Sequence, residues 1–117
     1  MSEQPAKNYH IVSPIREDLE SIVREINRIL PEAKVYLFGS YATGAYKEDS
    51  DIDICVVAPE YKARRMEVLY SIRVALRGAT KLPVDVLAFT DKEFDHRSKM
   101  RPTIQYTIAN EGVLLNA

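Results

Sequence analysis

The sequence predicts a small α/β (α+β) fold in which a mixed β-sheet is flanked by helices. Three observations support this prediction: apolar residues recur at helical spacing in several segments, short β-branched runs lie between them, and Gly or Pro marks most boundaries. The resulting order is α-β-(α)-β-α-β-α-α, where the bracket marks a single helical turn. With 117 residues, we expect one domain over residues 1–117, with a polar lead-in over residues 1–12.

The first half begins with a helix. Ser13 and Pro14 have the pattern of an N-cap and a first-turn residue, and Pro31 ends the helix. A strand is predicted over residues 34–38 because the run is β-branched and aromatic, and a short helical turn followed by a polar loop is predicted from Ser40. The apolar face of the first helix consists of Ile15, Leu19, Ile22, Val23, Ile26, Ile29 and Leu30.

The second half continues with a strand, a helix and a strand. We expect a strand over residues 51–58, closed by Pro59, and a helix over residues 62–77 with Gly78 as its C′ residue. A third strand is predicted over residues 83–88.

Two helices and an apolar tail complete the prediction. Thr90 and Glu93 have capping-box spacing and open a short helix. A last helix over residues 103–110 ends at Gly112, and residues 113–115 form an apolar tail.

Composition narrows the classes of function. Sixteen Lys and Arg face seventeen Asp and Glu, so the net charge of −1 argues against a nonspecific nucleic-acid binder. A single cysteine, Cys55, excludes an internal disulfide, which favours a reducing, cytoplasmic location. We see no signal peptide, and no apolar run reaches the roughly 18 residues of a membrane span. Cys55 has no paired histidine base and is interpreted as a small strand residue; His10 and His96 are interpreted as surface residues.

The most informative motif is Gly39-Ser40, then ten residues, then Asp51-Ile52-Asp53. The period of two along a strand predicts that Asp51 and Asp53 lie on one face, with Ile52 on the other. Two adjacent carboxylates repel each other, and a divalent cation between them relieves that repulsion. Mg²⁺ prefers such oxygen ligands together with phosphate oxygens.

A third carboxylate extends the pattern. Asp85 lies between Val84 and Val86, in a strand that we expect to be buried, where a polar side chain needs a partner. If its strand lies beside the preceding one, three carboxylates converge and suffice for two metal ions. Gly39 would allow phosphate oxygens to approach the backbone, and Ser40 would cap the following turn and bind phosphate.

Each feature alone has an ordinary structural interpretation. A Gly-Ser pair is usually a turn, Asp-x-Asp is usually a solvated strand end, and Asp85 alone is compatible with a hydrogen-bonded strand residue. Background residue frequencies give the joint pattern a chance occurrence on the order of one in several hundred, so we favour a metal–nucleotide site.

The same residues resemble the signature of the minimal nucleotidyltransferases of the DNA polymerase β superfamily. The flanking residues 37–44 and 49–54 and the tail 111–115 are also similar, and the resemblance spans about residues 15–115. It implies a polymerase β-like nucleotidyltransferase fold. It further implies transfer of a nucleoside monophosphate, AMP from ATP, to a hydroxyl group, with release of pyrophosphate.

The resemblance also implies roles for individual residues. Asp51 and Asp53 would bind two Mg²⁺ ions, and Asp85 would bind the catalytic metal and help to activate the acceptor hydroxyl. Gly39 and Ser40 would hold the triphosphate.

One position departs from the family pattern. Many small members carry Arg directly after Gly-Ser, whereas this chain has Tyr41, and Thr43 stands where a second basic residue is common. An arginine there stabilises phosphate charge, so nucleotide affinity or rate is expected to be affected unless Lys47 substitutes.

Small members of this family often pair with a helical toxin ribonuclease of the HEPN type, and some act as antitoxins by adenylylating a tyrosine of the toxin. The resemblance therefore implies a HEPN-type partner and a nucleoside triphosphate, with no direct nucleic-acid or membrane partner. Two alternatives remain: an antitoxin that acts by binding alone, and a transferase for a small molecule. The short chain argues against the second, because it leaves no obvious acceptor-binding domain.

Overall fold

The structure is a computed structural model, and it describes residues 14–116. The lead-in over residues 1–12, the Ser13 cap and His10 lie outside the described residues. The described elements are α1 (Arg16–Ile29), β1 (Lys34–Phe38), α2 (Ser40–Thr43), β2 (Ile52–Ala58), α3 (Arg65–Arg77), β3 (Val84–Thr90), α4 (Asp91–Arg97), α5 (Ile104–Glu111) and β4 (Val113–Leu114).

The four strands form one mixed sheet in the order β3-β2-β1-β4. β1 pairs antiparallel with both β2 and β4, whereas β2 and β3 are parallel and are joined by α3. The expected mixed sheet flanked by helices is therefore confirmed. β3 is an edge strand, so its outer side has no neighbour among the described strands.

Helices cover both faces of the sheet. Alternation along β2 sends Ile52 and Ile54 to the face covered by α1 and α3, where both are fully buried, as predicted. The opposite face carries Cys55 and Val57, which pack with Ile108 of α5 in a smaller cluster. Asp53 precedes Cys55 by two residues and therefore lies on the same face as Cys55, the α4/α5 face.

Several boundaries differ from the prediction. α3 begins at Arg65 rather than at residue 62, because Arg64 is extended and the first core residue of the helix is Val68. Gly78 ends α3 as a right-handed C-cap with φ −90°, not as a left-handed C′ residue. β3 continues to Thr90 because pairing with β2 extends over its full length. The predicted capping box at the start of α4 is confirmed.

The apolar tail is a strand rather than an unpaired end. Val113 and Leu114 form β4 on the outer edge of β1. Asn116 fixes this arrangement through three hydrogen bonds. Its Oδ1 accepts from Val35 N at 2.8 Å. Its Nδ2 donates to Ala33 O at 3.0 Å and to Asn27 Oδ1 at 2.8 Å. No helix among residues 14–116 is long and apolar enough to cross a membrane.

Candidate functional site

Two of the three predicted carboxylates are neighbours across a parallel strand pair. Asp53 is the second residue of β2, Asp85 is the second residue of β3, and the two are register partners. Side chains of register partners point to the same face, and adjacent strands lie about 4.8 Å apart. The structure therefore brings Asp53 and Asp85 together, as expected if the two strands are adjacent.

Asp51 approaches the pair from a loop. β2 begins at Ile52, so the prediction that Asp51 and Asp53 share one strand face is corrected: Asp51 precedes the strand and is exposed. Burial raises the pKa of Asp53, and the charges of Asp85 and then Asp51 raise it further. Both of the other carboxylates thus act electrostatically on Asp53.

Asp85 is exposed, although its strand was expected to be buried. β3 is an edge strand that is well buried on one face only: Val86 is 3% exposed, whereas Asp85 points to the opposite face. The requirement that a buried carboxylate has a partner therefore does not apply at position 85. Its position beside Asp53, open to solvent, is compatible with contact to an incoming substrate.

Gly39 brings the backbone of the turn against Asp53. Its φ of 76° and ψ of −154° lie in a region that is essentially restricted to glycine. A Cβ atom built at this position would lie 2.1 Å from Asp53 Oδ2. No other residue type fits without displacing the carboxylate, so the turn and the carboxylates belong to one site.

The turn leads directly into α2. The expected side-chain cap by Ser40 is wrong: the N-cap residue is Gly39, whose carbonyl accepts hydrogen bonds from Ala42 N and Thr43 N, and no side chain caps the helix. The N–H groups of Ser40 and Tyr41 precede these first helical bonds, as is usual for an N-terminal turn. Backbone donors therefore lie beside Gly39.

Tyr41 contributes to packing. It is only 4% exposed and stacks on Tyr46, with 4.6 Å between the ring centroids. The side chain at this position therefore anchors α2 to the core. Lys47 is exposed in a turn closed by Ser50, since Lys47 N donates to Ser50 Oγ at 2.8 Å and Ser50 N donates to Lys47 O at 3.1 Å.

Sequence reasoning did not single out the Tyr41–Tyr46 stack or the Ser50 turn. A serine beside Asp51 in a polar loop was the available signal for the turn. Asp51 lies between this turn and the first residue of β2, Ile52.

The donor chemistry fits a divalent cation, since Asp53 and Asp85 are register partners and the negative charges of Asp85 and Asp51 oppose ionisation of Asp53. Among residues 14–116, however, no group of three Asp, Glu, His or Cys side chains is positioned to hold a metal ion as it stands. His96 is exposed, as predicted. Cys55 is fully buried, and burial raises its pKa to about 12, in agreement with a structural role.

Comparison with known proteins gives a consistent result. The sequence profile of the nucleotidyltransferase domain matches residues 17–115. A protein of Methanocaldococcus jannaschii provisionally named a protein adenylyltransferase is 32% identical over 82 residues, which cover 70% of this chain and 76% of that protein. A poly(A) RNA polymerase of Cryptococcus neoformans is 38% identical over 88 residues. That match covers 68% of this chain, but the chain spans only 11% of the polymerase.

A solved structure is also similar. One chain of a toxin–antitoxin crystal structure with AMP-PNP superposes with a TM-score of 0.61 at 23% identity, covering 83% of this chain and 71% of that chain. At this identity the likeness shows a shared fold.

Proposed function

Because the chain belongs to the nucleotidyltransferase domain family, we propose that it is a nucleotidyltransferase that transfers AMP from ATP to a protein hydroxyl in a Mg²⁺-dependent reaction. The observation that carries the proposal is the contact between Gly39 and Asp53, with Asp85 as the register partner of Asp53. The backbone that we propose to bind phosphate and the carboxylates that we propose to bind metal therefore lie close together in the sheet.

Each residue has a defined part in this reaction. Asp51, Asp53 and Asp85 would hold two Mg²⁺ ions, which neutralise the charge of the triphosphate. Gly39 lets phosphate oxygens approach the backbone, and Ser40 donates from its hydroxyl and its N–H group. The open side of Asp85 faces the acceptor, so its carboxylate orients the hydroxyl and receives its proton.

The bond changes are those of a single displacement at phosphorus. The acceptor oxygen forms a bond to the α-phosphorus, and the bond from that phosphorus to the oxygen bridging to the β-phosphate breaks. Pyrophosphate leaves with the bridging oxygen and its negative charge. The N–H groups beside Gly39 stabilise charge on the phosphate during this step.

The acceptor that we propose is a tyrosine of a helical, HEPN-type toxin, which makes the chain an antitoxin. The relative that is provisionally named a protein adenylyltransferase supports a protein acceptor, and the toxin–antitoxin neighbour with AMP-PNP supports the partner and the nucleotide. The reducing, cytoplasmic location expected from the cysteine content accords with such a role.

A second candidate is an antitoxin that silences its partner by binding alone. The burial of Tyr41 favours it, because the position that carries an arginine in many relatives here packs into the core. The two candidates differ in whether the carboxylates are needed.

Incubation with labelled ATP, Mg²⁺ and the purified toxin partner tests both candidates. We expect label on the toxin from the wild-type protein and none from the Asp51→Asn/Asp53→Asn variant. The control is Asp49→Asn, a neighbouring exposed loop carboxylate, which should transfer label normally. Undiminished transfer by the double variant would refute the proposed site.

Thermal unfolding separates loss of metal binding from loss of the fold. Mg²⁺ with a non-hydrolysable ATP analogue should raise the Tm of the wild-type protein and of Asp49→Asn, but not that of the double variant. A double variant that transfers no label yet still silences the toxin would select the binding-only antitoxin. Label on an added RNA 3′ end instead of the toxin would assign the acceptor chemistry of the poly(A) polymerase relative.

A further inference from the structure

Helix α3 exposes an apolar stripe on the side that faces away from the sheet. Met66, Tyr70 and Val74 are 73%, 65% and 42% exposed. Their spacing of four residues places them one above another on a single helix face. Single exposed apolar residues are ordinary, but three in line form a contiguous surface that a partner can cover. The inward face of the same helix is filled by Val68, Ile72 and Leu76.

Cations lie at the C-terminal end of this α3 stripe. Arg73 and Arg77 follow Met66 by seven and eleven residues, so both lie on the face of the stripe. Together with Lys81 they line a groove of about 600 Å³ that ends at Val84, next to Asp85. Among residues 14–116, none of the salt bridges involves these three cations.

The N-terminal end of the stripe is also cationic, because the exposed residues Lys62 and Arg64 precede α3. A second copy of the chain would therefore oppose like charges whether the two helices ran parallel or antiparallel. The acidic residues nearby are Glu67 on α3, Asp85 next to the groove, and Asp18, which lines a cavity with Arg77 and Lys81; these three carboxylates do not balance the five cations. The charge favours an acidic surface as the occupant.

Two other occupants fit less well. A helix that lies on a membrane buries a large apolar face in the lipid, whereas the main apolar face of α3, Val68, Ile72 and Leu76, is buried in the protein. A nucleic acid would require stacking aromatics and a basic domain, whereas Tyr70 is the single aromatic of this stripe and the chain carries a net charge of −1.

We infer that the α3 stripe is a docking surface for a protein that presents an amphipathic helix with acidic flanks. The apolar side chains of that helix cover Met66, Tyr70 and Val74, and its carboxylates pair with Arg73 and Arg77. Docking itself does not need the transfer reaction. Its consequence, that the partner is held beside Asp85 at the open edge of β3, rests on the proposed function.

A pair of designed peptides tests this inference. Both peptides are helical and carry leucines at every third and fourth position. The residues that flank the leucines are glutamates in the first peptide and lysines in the second. Nuclear magnetic resonance titration of the full chain should show shifts at Met66, Tyr70 and Val74 with the glutamate peptide. We expect the lysine peptide to bind at least about tenfold more weakly, and Arg73→Glu/Arg77→Glu to reverse that preference.

Matched variants keep the test independent of catalysis. Tyr70→Ser should abolish binding of the glutamate peptide, while Ile104→Ser, at a 43% exposed position on α5, should leave it unchanged. Both variants should retain the Tm rise with Mg²⁺ and the ATP analogue. Each of four results would overturn the inference: equal binding of the two peptides, chemical-shift changes away from α3, self-association of the protein through Tyr70, or preferential binding to phosphatidylglycerol vesicles or RNA.

Discussion

Substitution of Gly39 by alanine should separate activity from stability. The added Cβ would lie 2.1 Å from Asp53 Oδ2, so the carboxylate oxygen must retreat by about 1 Å even to reach the closest tolerated separation of 3.0 Å. Misplacement of a catalytic group by about 1 Å costs on the order of 10²-fold in rate, or about 2.7 kcal/mol in activation free energy. The positive φ adds strain of about 1–3 kcal/mol to the folded state.

Gly44→Ala is the matched control. Gly44 also has a positive φ, 87°, but a Cβ there has no neighbour within 4 Å. Each substitution should lower the Tm by about 4 °C per kcal/mol of strain. We expect kcat/KM for AMP transfer to fall about 100-fold in Gly39→Ala and to change little in Gly44→Ala. An equal loss of activity in both variants, or full activity in Gly39→Ala, would refute the proposed contact between turn and carboxylate.

The remaining predictions concern the fold. Cys55 should resist alkylation at pH 8 in the native protein and react on unfolding, because burial raises its thiol pKa to about 12. Hydrogen bonds, chiefly from Arg65, lower the pKa of Glu93, so its stabilisation is present above its unfolded pKa and lost as pH falls through the folded value. Glu93→Gln should therefore cost less than about 1 kcal/mol at pH 7 and nothing at strongly acidic pH, as measured by urea unfolding. Asn116→Ala should cost about 1–3 kcal/mol, because it leaves Val35 N–H unpaired.

Each of these three predictions has a control or a result that would contradict it. Denatured protein, in which the thiol reacts at once, calibrates the alkylation, and equally fast native labelling would contradict the buried position. Asn110→Ala removes an exposed helix-surface amide and should cost much less than Asn116→Ala. A Glu93→Gln penalty that persists unchanged at strongly acidic pH would show that the charge of Glu93 is not its cause.

Sequence patterns were sufficient for most of the fold because they report local periodicity. Alternation of apolar residues placed Ile52 and Ile54 in the core, and the Thr90–Glu93 spacing placed the start of α4. Pairing between distant segments leaves no such local signal. The apolar residues after Gly112 therefore did not reveal that they form β4, and the exposure of Asp85 depends on which face of β3 is covered, which only the folded chain defines.

The proximity of two candidate residues, Asp53 and Asp85, was predictable, but the contacts around them were not. The spacing of Gly39, Asp53 and Asp85 along the chain indicated their common role, and register pairing brings the two carboxylates together. The approach of Gly39 to Asp53 and the burial of Tyr41 depend on backbone dihedrals and packing in three dimensions. Neither can be read from residue types alone.

The bond between Val35 and Asn116 has a consequence for how the protein is made. It joins residues 81 positions apart, so the outer edge of β1 stays unpaired until residues 113–116 have been synthesised. Contacts of such separation close slowly, since the intervening chain must first be ordered. During synthesis β1 can pair with β2 but presents an open edge, where a nascent chain is exposed to misassembly and to chaperones. Synthesis of residues 113–116 is therefore the step that completes the described sheet, which supports the candidate site.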